Sequence, residues 1–170
     1  MVTMTGFHGT LKNKAQNILN NGFIHSTKNT EWLGFGVYFF AEQQYAEKWA
    51  LSEAEKPKNK GEVPSVLSCL IRCKENEYYD LDNEDNMDKI VKCLSGVLKG
   101  LEGKNSTKLD EAQIRCAACN FFAKKYGIKV YSYTFPLRRT NSYGFPFVIN
   151  QKQICVNNNE CISCVKECLI

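Results

Sequence analysis

The sequence predicts an α+β domain rather than a regular alternation of strands and helices. Two observations lead to this prediction: apolar, β-branched runs lie towards both ends of the chain, and segments with helical apolar spacing fill its middle. With 170 residues and 44% hydrophobic side chains, the chain is long enough to bury a sizeable core. We therefore expect one domain that spans residues 1–170.

The first half of the chain predicts three strands and two helices. The first strand ends at His8, where Gly9 follows, and Gly22 stops the first helix. The second helix places apolar residues on one face and ends at an exposed basic loop, residues 56–61. The predicted strands are Val2–His8, Gly34–Phe40 and Val63–Cys73, and the predicted helices are Lys12–Asn20 and Ala41–Glu55.

The second half predicts two helices followed by strands. An acidic segment, Glu75–Asp88, has the composition of a turn region, and Leu137–Gly144 that of a basic polar loop. That basic loop could contact a phosphate, although a solvated turn is the interpretation we favour. The predicted helices are Met87–Leu101 and Leu109–Tyr126, separated by the loop Glu102–Thr107, and the strands are Ile128–Phe135, Phe145–Ile149 and Gln153–Val156.

Charge and the N-terminal sequence bear on partners and location. A net charge of +4 with a pI near 8.5 is compatible with nucleic acid or phosphate ligands but does not require them. The first residues lack the charged start and apolar stretch of a signal peptide, and no apolar run approaches the eighteen residues of a membrane span. We expect a cytoplasmic protein with no membrane partner.

Nine cysteines raise the question of metal binding. Cys116 and Cys119, and likewise Cys161 and Cys164, have the spacing of zinc ligands, with Cys168 as a further candidate. However, the first pair falls within a helical pattern, where a cysteine behaves as a small buried hydrophobe. We therefore expect reduced thiols and no metal, with a structural zinc site as the less favoured alternative and a redox pair less favoured still.

Two short motifs carry the chemistry of the first fifty residues. His8, at the end of a strand, can hydrogen-bond a hydroxyl group, and Gly9 beside it leaves backbone polar groups free to pair with a flat carboxamide. Tyr38, in an aromatic run punctuated by Gly34 and Gly36, offers a ring for stacking. Together they suit a nicotinamide pocket. The alternatives are a core histidine at a strand end and a tyrosine that packs in the core.

These motifs, in this order, resemble the ADP-ribosyltransferase superfamily. The residues that carry the resemblance are His8-Gly9-Thr10, Ile18-Leu19, Gly22-Phe23, Leu33 to Phe40 and a short patch near Gln153. The pattern is most similar to the branch that diphtheria toxin shares with the poly(ADP-ribose) polymerases. The resemblance implies a split β-sandwich of two small antiparallel sheets with flanking helices, and NAD as the substrate in the cleft between the sheets.

The resemblance also implies roles for individual residues. His8 would bind the adenosine-side ribose, and Gly9 the nicotinamide carboxamide, with Thr10 beside them in the NAD-binding motif. Tyr38 would stack on the nicotinamide ring. Trp49, eleven residues after Tyr38, is at the spacing of a second stacking aromatic, although an ordinary core residue on a helix face is equally compatible with the sequence.

One carboxamide contact is expected to be missing from this set. Polymerase-like members of the superfamily carry a small hydroxyl residue three positions before the second stacking aromatic. This chain has Ala46 at that position, and an alanine side chain cannot hydrogen-bond.

The chain departs from the family pattern at the catalytic position. The family places a glutamate at the start of a late strand, and the best local match puts Gln153 there. A shift by one residue would place Lys152 there instead, and Glu160 is the nearest carboxylate downstream. A glutamine can hydrogen-bond a ribose hydroxyl, but it supplies no charge and is no base near pH 7.

The resemblance therefore predicts an NAD-dependent glycosyltransferase with His8, Tyr38 and Gln153 in its catalytic site. We expect mono-ADP-ribosylation: cleavage of NAD at its nicotinamide bond and transfer to a protein, nucleic acid or small-molecule acceptor. By analogy, a free-standing domain of this kind suits a toxin or effector. The alternatives are a weak or inactive module that binds NAD or ADP-ribose and an RNA 2′-phosphotransferase-like enzyme. The latter is disfavoured because such an enzyme would need several phosphate-binding arginines early in the domain. The first arginine of this chain is Arg72.

Overall fold

Seven strands form one mixed sheet in the computed structural model, which describes residues 1–101, 110–140 and 143–170. The strand order is β4-β5-β6-β2-β1-β3-β7, and only β4 and β5 run parallel. The strands are β1 Val2–Leu11, β2 Val37–Phe40, β3 Pro64–Cys73, β4 Tyr78–Asp80, β5 Val130–Thr140, β6 Pro146–Val156 and β7 Ile162–Cys168. The helices are α1 Lys12–Asn21, α2 Gln43–Ala54, α3 Glu84–Leu101 and α4 Glu111–Tyr126. The predicted α+β class is confirmed.

The sheet consists of two parts that meet at a single residue pair. Strands β1 and β2 are paired where Phe7 lies opposite Phe40, whereas β1 and β3 are paired over their whole lengths. The part β4-β5-β6-β2 and the part β1-β3-β7 are therefore joined only at this point within the described residues. His8 follows Phe7 directly, so it lies where the two parts separate.

Three apolar clusters hold the helices on the sheet. The first contains Ala15 of α1 together with Phe39 and Leu67 from the two parts of the sheet. The second packs Phe122 of α4 against Tyr131 of β5. The third fixes α2 on β1 and β3, and its buried members are Ala46, Ala50 and Val66. Since small alanines face the sheet there, α2 lies close to the backbone of β1.

Strand β2 divides its side chains between two of these clusters, as the alternation of the sequence predicts. Val37 and Phe39 are buried in the first cluster, whereas Tyr38 packs against the second. Successive side chains of a strand point to opposite faces of the sheet. One face of β2 therefore serves the main core, and the other is left for Tyr38 and Phe40.

Local signals in the sequence explain where α4 begins and ends. Asp110 caps α4 by accepting a hydrogen bond from the backbone N–H of Gln113 (2.7 Å), and Gln113 accepts one from the backbone of Asp110 (3.1 Å). Gly127 ends α4 with a φ of 70°. All four predicted helices are confirmed, each within three residues of its predicted start and end.

Some of the predicted strand boundaries were wrong. Gly34 to Gly36 lie outside β2, because Gly36 pairs with the distant Ser26 and not with the sheet. Predicted strands Phe145–Ile149 and Gln153–Val156 are one strand, β6, which pairs continuously with β5. Strand β7 was not predicted.

Two segments predicted as irregular are also partly regular. The acidic segment Glu75–Asp88 contains β4 and the first turn of α3. Residues 137–140 of the predicted basic loop Leu137–Gly144 continue β5, because β6 offers them backbone partners. The predicted loop Glu102–Thr107 and residues 141–142 lie outside the described residues.

None of the helices in the described part of the chain is both long and apolar enough to cross a membrane.

Candidate functional site

A cleft of about 310 Å³ lies at the junction of β1 and β2. Strand β6 and helix α2 contribute to its walls, and residues 24–36, which we name the roof loop, cover one side. Five residues singled out in the sequence line this cleft. They are His8, Gly9, Tyr38, Trp49 and Gln153, and the other described lining residues are Ile24, Ser26, Glu31, Trp32, Gly36, Val37 and Phe40.

Two glycines allow the backbone segments around the cleft to approach each other. A Cβ atom on Gly9 would lie 2.1 Å from the carbonyl oxygen of Ala46, so only glycine lets α2 rest on β1 at this point. A Cβ atom on Gly36 would lie 2.6 Å from the carbonyl oxygen of Val156. The glycines of the two sequence motifs therefore have a packing role that is independent of any ligand.

His8 is fixed in one tautomer by the strand beside it. Its Nδ1 lies 2.8 Å from the carbonyl oxygen of Tyr38, and because a carbonyl only accepts, Nδ1 carries the proton. Burial lowers the pKa of His8, although the hydrogen bond to Tyr38 opposes this, so the ring is neutral near pH 7. The second nitrogen, Nε2, has no partner among the described residues and can accept a hydrogen bond from a ligand hydroxyl.

Tyr38 offers its ring and not its hydroxyl to the cleft. The hydroxyl accepts a hydrogen bond from the backbone N–H of Leu33 (2.8 Å) and donates one to the carbonyl of Gly34 (2.7 Å). Burial, with a smaller contribution from neighbouring Cys155, raises the pKa of Tyr38 far above its ordinary value. The phenol therefore stays neutral and anchors the roof loop.

Trp49 is 53% exposed, although Ala46 and Ala50 of the same helix are buried. The alternative of an ordinary core residue is therefore wrong for Trp49. Its ring lies 6.4 Å from that of Phe40, and Trp49 and Tyr38 both line the cleft. A flat ligand ring can be accommodated between two such aromatic walls.

The catalytic position on β6 carries no charge towards the cleft. Gln153 lies opposite Phe40 in the sheet, and its amide nitrogen donates to the side-chain oxygen of Gln151 (3.2 Å). Lys152, the alternative match, lies on the opposite face of β6 and pairs with Asp80 and Asp82. Glu160 lies in a single-turn helix beyond β6, is not among the residues lining the cleft, and its backbone is held by Asn158.

The roof loop contributes a carboxylate that the sequence motifs did not reveal. Ser26 and Gly36 close the loop through two backbone hydrogen bonds of 2.9 and 3.1 Å. The hydroxyl of Ser26 donates to the carboxylate of Glu31, and both side chains line the cleft. No strand or helix was predicted between Gly22 and Gly34, where most of this segment lies. The signal that could have found Glu31 is its place between two motifs of one pocket, where binding residues concentrate in loops.

Trp32 was missed for the same reason. Its ring meets that of Phe135 edge to face at 5.0 Å, and the guanidinium of Arg115 lies 4.1 Å from the ring centroid. Trp32 is nevertheless 51% exposed and lines the cleft. Arg115, which the sequence did not distinguish from surface charges, thus helps to fix this wall.

A second cavity of about 480 Å³ adjoins the cleft and shares His8, Gly9 and Trp49 with it. We name this cavity the lysine chamber, because Lys14, Lys28 and Lys58 line it. Thr10 also lines the lysine chamber and is not among the residues lining the cleft. The chamber carries one carboxylate among its described lining residues, Glu53, and this pairs with Lys56.

The cysteines are free thiols in the structure. Cys116 and Cys119 are buried in α4, as their helical pattern predicts, whereas Cys164 is exposed on β7. Within residues 1–101, 110–140 and 143–170, no group of three or more His, Cys, Asp or Glu side chains is placed to hold a metal ion.

The comparisons with known proteins find a relative that matches about half of the chain. A stretch of 84 residues is 31% identical to an uncharacterized protein of Methanocaldococcus jannaschii, and it covers 47% of this chain. The chain spans 38% of that relative's length. No family model and no solved structure matches the chain. A function must therefore be inferred from the geometry and charge of the cleft.

Proposed function

We propose that the protein is a mono-ADP-ribosyltransferase that cleaves NAD at the nicotinamide bond and transfers ADP-ribose to an acceptor. The observation that supports this most is the charge distribution of the two joined cavities. Glu31 is the one charged side chain among the described residues lining the cleft, and three lysines line the adjoining chamber. NAD has a cationic nicotinamide ring at one end and an anionic pyrophosphate further along.

The neutral groups of the cleft suit an NAD molecule that lies with its nicotinamide in the cleft and its pyrophosphate towards the lysine chamber. Tyr38 and Trp49 would stack on the nicotinamide ring, and the free Nε2 of His8 would accept a hydrogen bond from a ribose hydroxyl. Gln153 would bind a second ribose hydroxyl through its amide. These contacts orient the ribose and the leaving group, which is how a rigid pocket lowers the barrier for breaking the nicotinamide bond.

The fold that we propose is the split β-sandwich of the ADP-ribosyltransferases. It is supported by the division of the sheet at the single pair of Phe7 with Phe40, beside which the cleft opens. A cytoplasmic enzyme remains part of this proposal.

A second candidate is a module that binds NAD or ADP-ribose without turnover. The observation that favours it is the neutral Gln153 at the position where the family carries its catalytic glutamate. Both candidates require NAD to bind in the cleft, and they differ only in whether nicotinamide is released.

One experiment separates the two candidates. The protein is incubated with NAD labelled in the adenosine moiety, with and without cell extract, and released nicotinamide and macromolecule-bound label are measured. We expect release that depends on extract, with label on a macromolecule. His8→Ala should reduce release about 100-fold, because the ribose loses its partner.

His25→Ala is the matched control, since the chain has two histidines and His25 bonds Asn159 outside the cleft. Binding of NAD without any release would support the inert module. Equal release by wild type and His8→Ala would contradict the proposed site.

A further inference from the structure

Glu31 is the one charged side chain among the described residues that line the cleft of the proposed reaction. It lines the cleft together with His8 and Gln153. Burial is the main cause that raises the pKa of Tyr38, and the negative charge of Glu31 adds to it. Tyr38, whose ring would stack on nicotinamide, lines the same cleft as this carboxylate.

Glu31 forms no ion pair with the described residues. The ion pairs of the structure involve other carboxylates, namely Glu53, Glu75, Glu77, Asp80, Asp82 and Glu167. Its one hydrogen-bond donor among the described side chains is the hydroxyl of Ser26. A carboxylate that lacks a cation in a partly enclosed site is best satisfied by a cationic ligand or by a positive charge that develops during a reaction.

The roof loop holds this carboxylate in place. The backbone N–H of Glu31 donates to the carbonyl of Lys28 (3.2 Å), which forms a turn. Two residues later, the hydroxyl of Tyr38 accepts a hydrogen bond from the N–H of Leu33. The backbone is thus held on both sides of Glu31, and the hydroxyl of Ser26 holds its carboxylate. A preorganised charge stabilises a transition state without reorganisation at the moment of reaction.

We propose that Glu31 supplies the carboxylate that β6 lacks in this enzyme, acting on the ribose cation and on the incoming nucleophile. This inference rests on the proposed function. The bond between the nicotinamide nitrogen and the ribose C1′ breaks, and its electron pair leaves with neutral nicotinamide. Positive charge develops at C1′, where Glu31 stabilises it. A hydroxyl of the acceptor, or water, attacks C1′, and its proton passes to the Glu31 carboxylate.

A purely structural role for Glu31 makes different predictions. If Glu31 only stabilised the roof loop through its hydrogen bond with Ser26, removal of either partner would disturb the cleft equally, and both NAD binding and turnover would fall. If Glu31 supplies charge, its neutral isostere should bind NAD and fail to turn it over. A glutamate in place of Gln153, which lines the same cleft on a different element, should then restore the missing negative charge.

The test compares five purified variants with wild type: Glu31→Gln, Glu31→Asp, Ser26→Ala, Glu55→Gln and the double variant Glu31→Gln with Gln153→Glu. Steady-state nicotinamide release with extract gives kcat and KM, and titration with NAD gives binding. Glu55 is exposed at the end of α2, so Glu55→Gln matches the change in net charge outside the cleft. Thermal unfolding reports whether each variant is folded.

We expect Glu31→Gln to lower kcat about 100-fold with NAD affinity kept within about threefold. Glu31→Asp should retain part of the activity, Ser26→Ala should lose less than Glu31→Gln, and the double variant should regain about tenfold over Glu31→Gln. The proposal is overturned if Glu31→Gln matches wild type, or if Ser26→Ala is equally impaired and Gln153→Glu restores nothing. If neither wild type nor the double variant releases nicotinamide, the proposed function fails as well.

Discussion

The charged side chains on the two sides of strand β6 differ in whether they form ion pairs. On one face, Lys152 lies between two carboxylates, 3.3 Å from Asp80 and 3.0 Å from Asp82. On the other face, the cleft contains Glu31 without a cation among the described residues. The cluster of Lys152 and the cleft with Glu31 are both partly buried. The difference between them is therefore the presence of an opposite charge and not the degree of exposure.

On the face that carries Lys152, the charged side chains are held by several ion pairs and hydrogen bonds. Asp82 also accepts hydrogen bonds from the backbone N–H and the hydroxyl of Thr134, both at 2.8 Å. Burial opposes ionisation of this carboxyl, but the hydrogen bonds from Thr134 and Lys152 outweigh it and lower the pKa of Asp82. Glu31 has no such cation within ion-pairing distance among the described residues, and its carboxylate is bonded only by Ser26. A carboxylate left in this way in a cleft points to a ligand.

The largest effect that would sharpen this comparison is expected from Lys152→Met. The substitution leaves Asp80 and Asp82 without their cation and should lower the free energy of unfolding by about 2 kcal/mol. Denaturant titration measures this change. NAD affinity should be unchanged, because Lys152 faces away from the cleft; a loss of affinity without a loss of stability would reverse the assignment of the two faces.

Asp82→Asn should have a smaller effect, about 1 kcal/mol at pH 7, and the effect should depend on pH. Because the folded pKa of Asp82 is lowered, its contribution is fully present above the unfolded pKa, roughly 3.9. It is lost as the pH falls through the lower folded pKa. The difference between the two proteins in denaturant titrations from pH 7 to pH 3 should therefore shrink towards the acid end. A constant difference across this range would contradict a stabilisation that depends on the ionised carboxylate.

The smallest effect is expected from a substitution in the cleft. Trp49→Ala should weaken NAD binding about fivefold, since a stacked ring contributes about 1 kcal/mol. The free energy of unfolding should change little, because Trp49 is half exposed. Calorimetric titration with NAD measures the affinity, and Trp32→Ala shows whether the roof-loop aromatic contributes in the same way. If Trp49→Ala destabilises the fold instead, the ring has a packing role.

Much of the fold could be predicted from local signals. The helices have apolar periodicity and stops such as Gly22 and Gly127, and both are readable from a few neighbouring residues. Strand β4 and the outer part of β5 could not be predicted in this way. Arg138 and Arg139 form a strand because Phe147 and Val148 lie opposite them, and such pairing depends on residues distant in the sequence.

The residues of the candidate site also fall into those that a local motif predicts and those that depend on distant contacts. His8, Gly9 and Tyr38 were predicted because their spacing is a motif, and Gln153 was matched by its place on a late strand. Glu31 could not be found by a search for a carboxylate near the end of the chain, because the roof loop brings it to the cleft. Its position depends on the pairing of Ser26 with Gly36 and on the hydroxyl of Tyr38.

A crystal structure of the protein with an NAD analogue whose nicotinamide bond cannot break tests the central claim most directly. The nicotinamide ring should lie between Tyr38 and Trp49, with the ribose next to Glu31 and the pyrophosphate towards the lysine chamber. A ligand bound outside the cleft, or one with its nicotinamide in the lysine chamber, would contradict the proposed site.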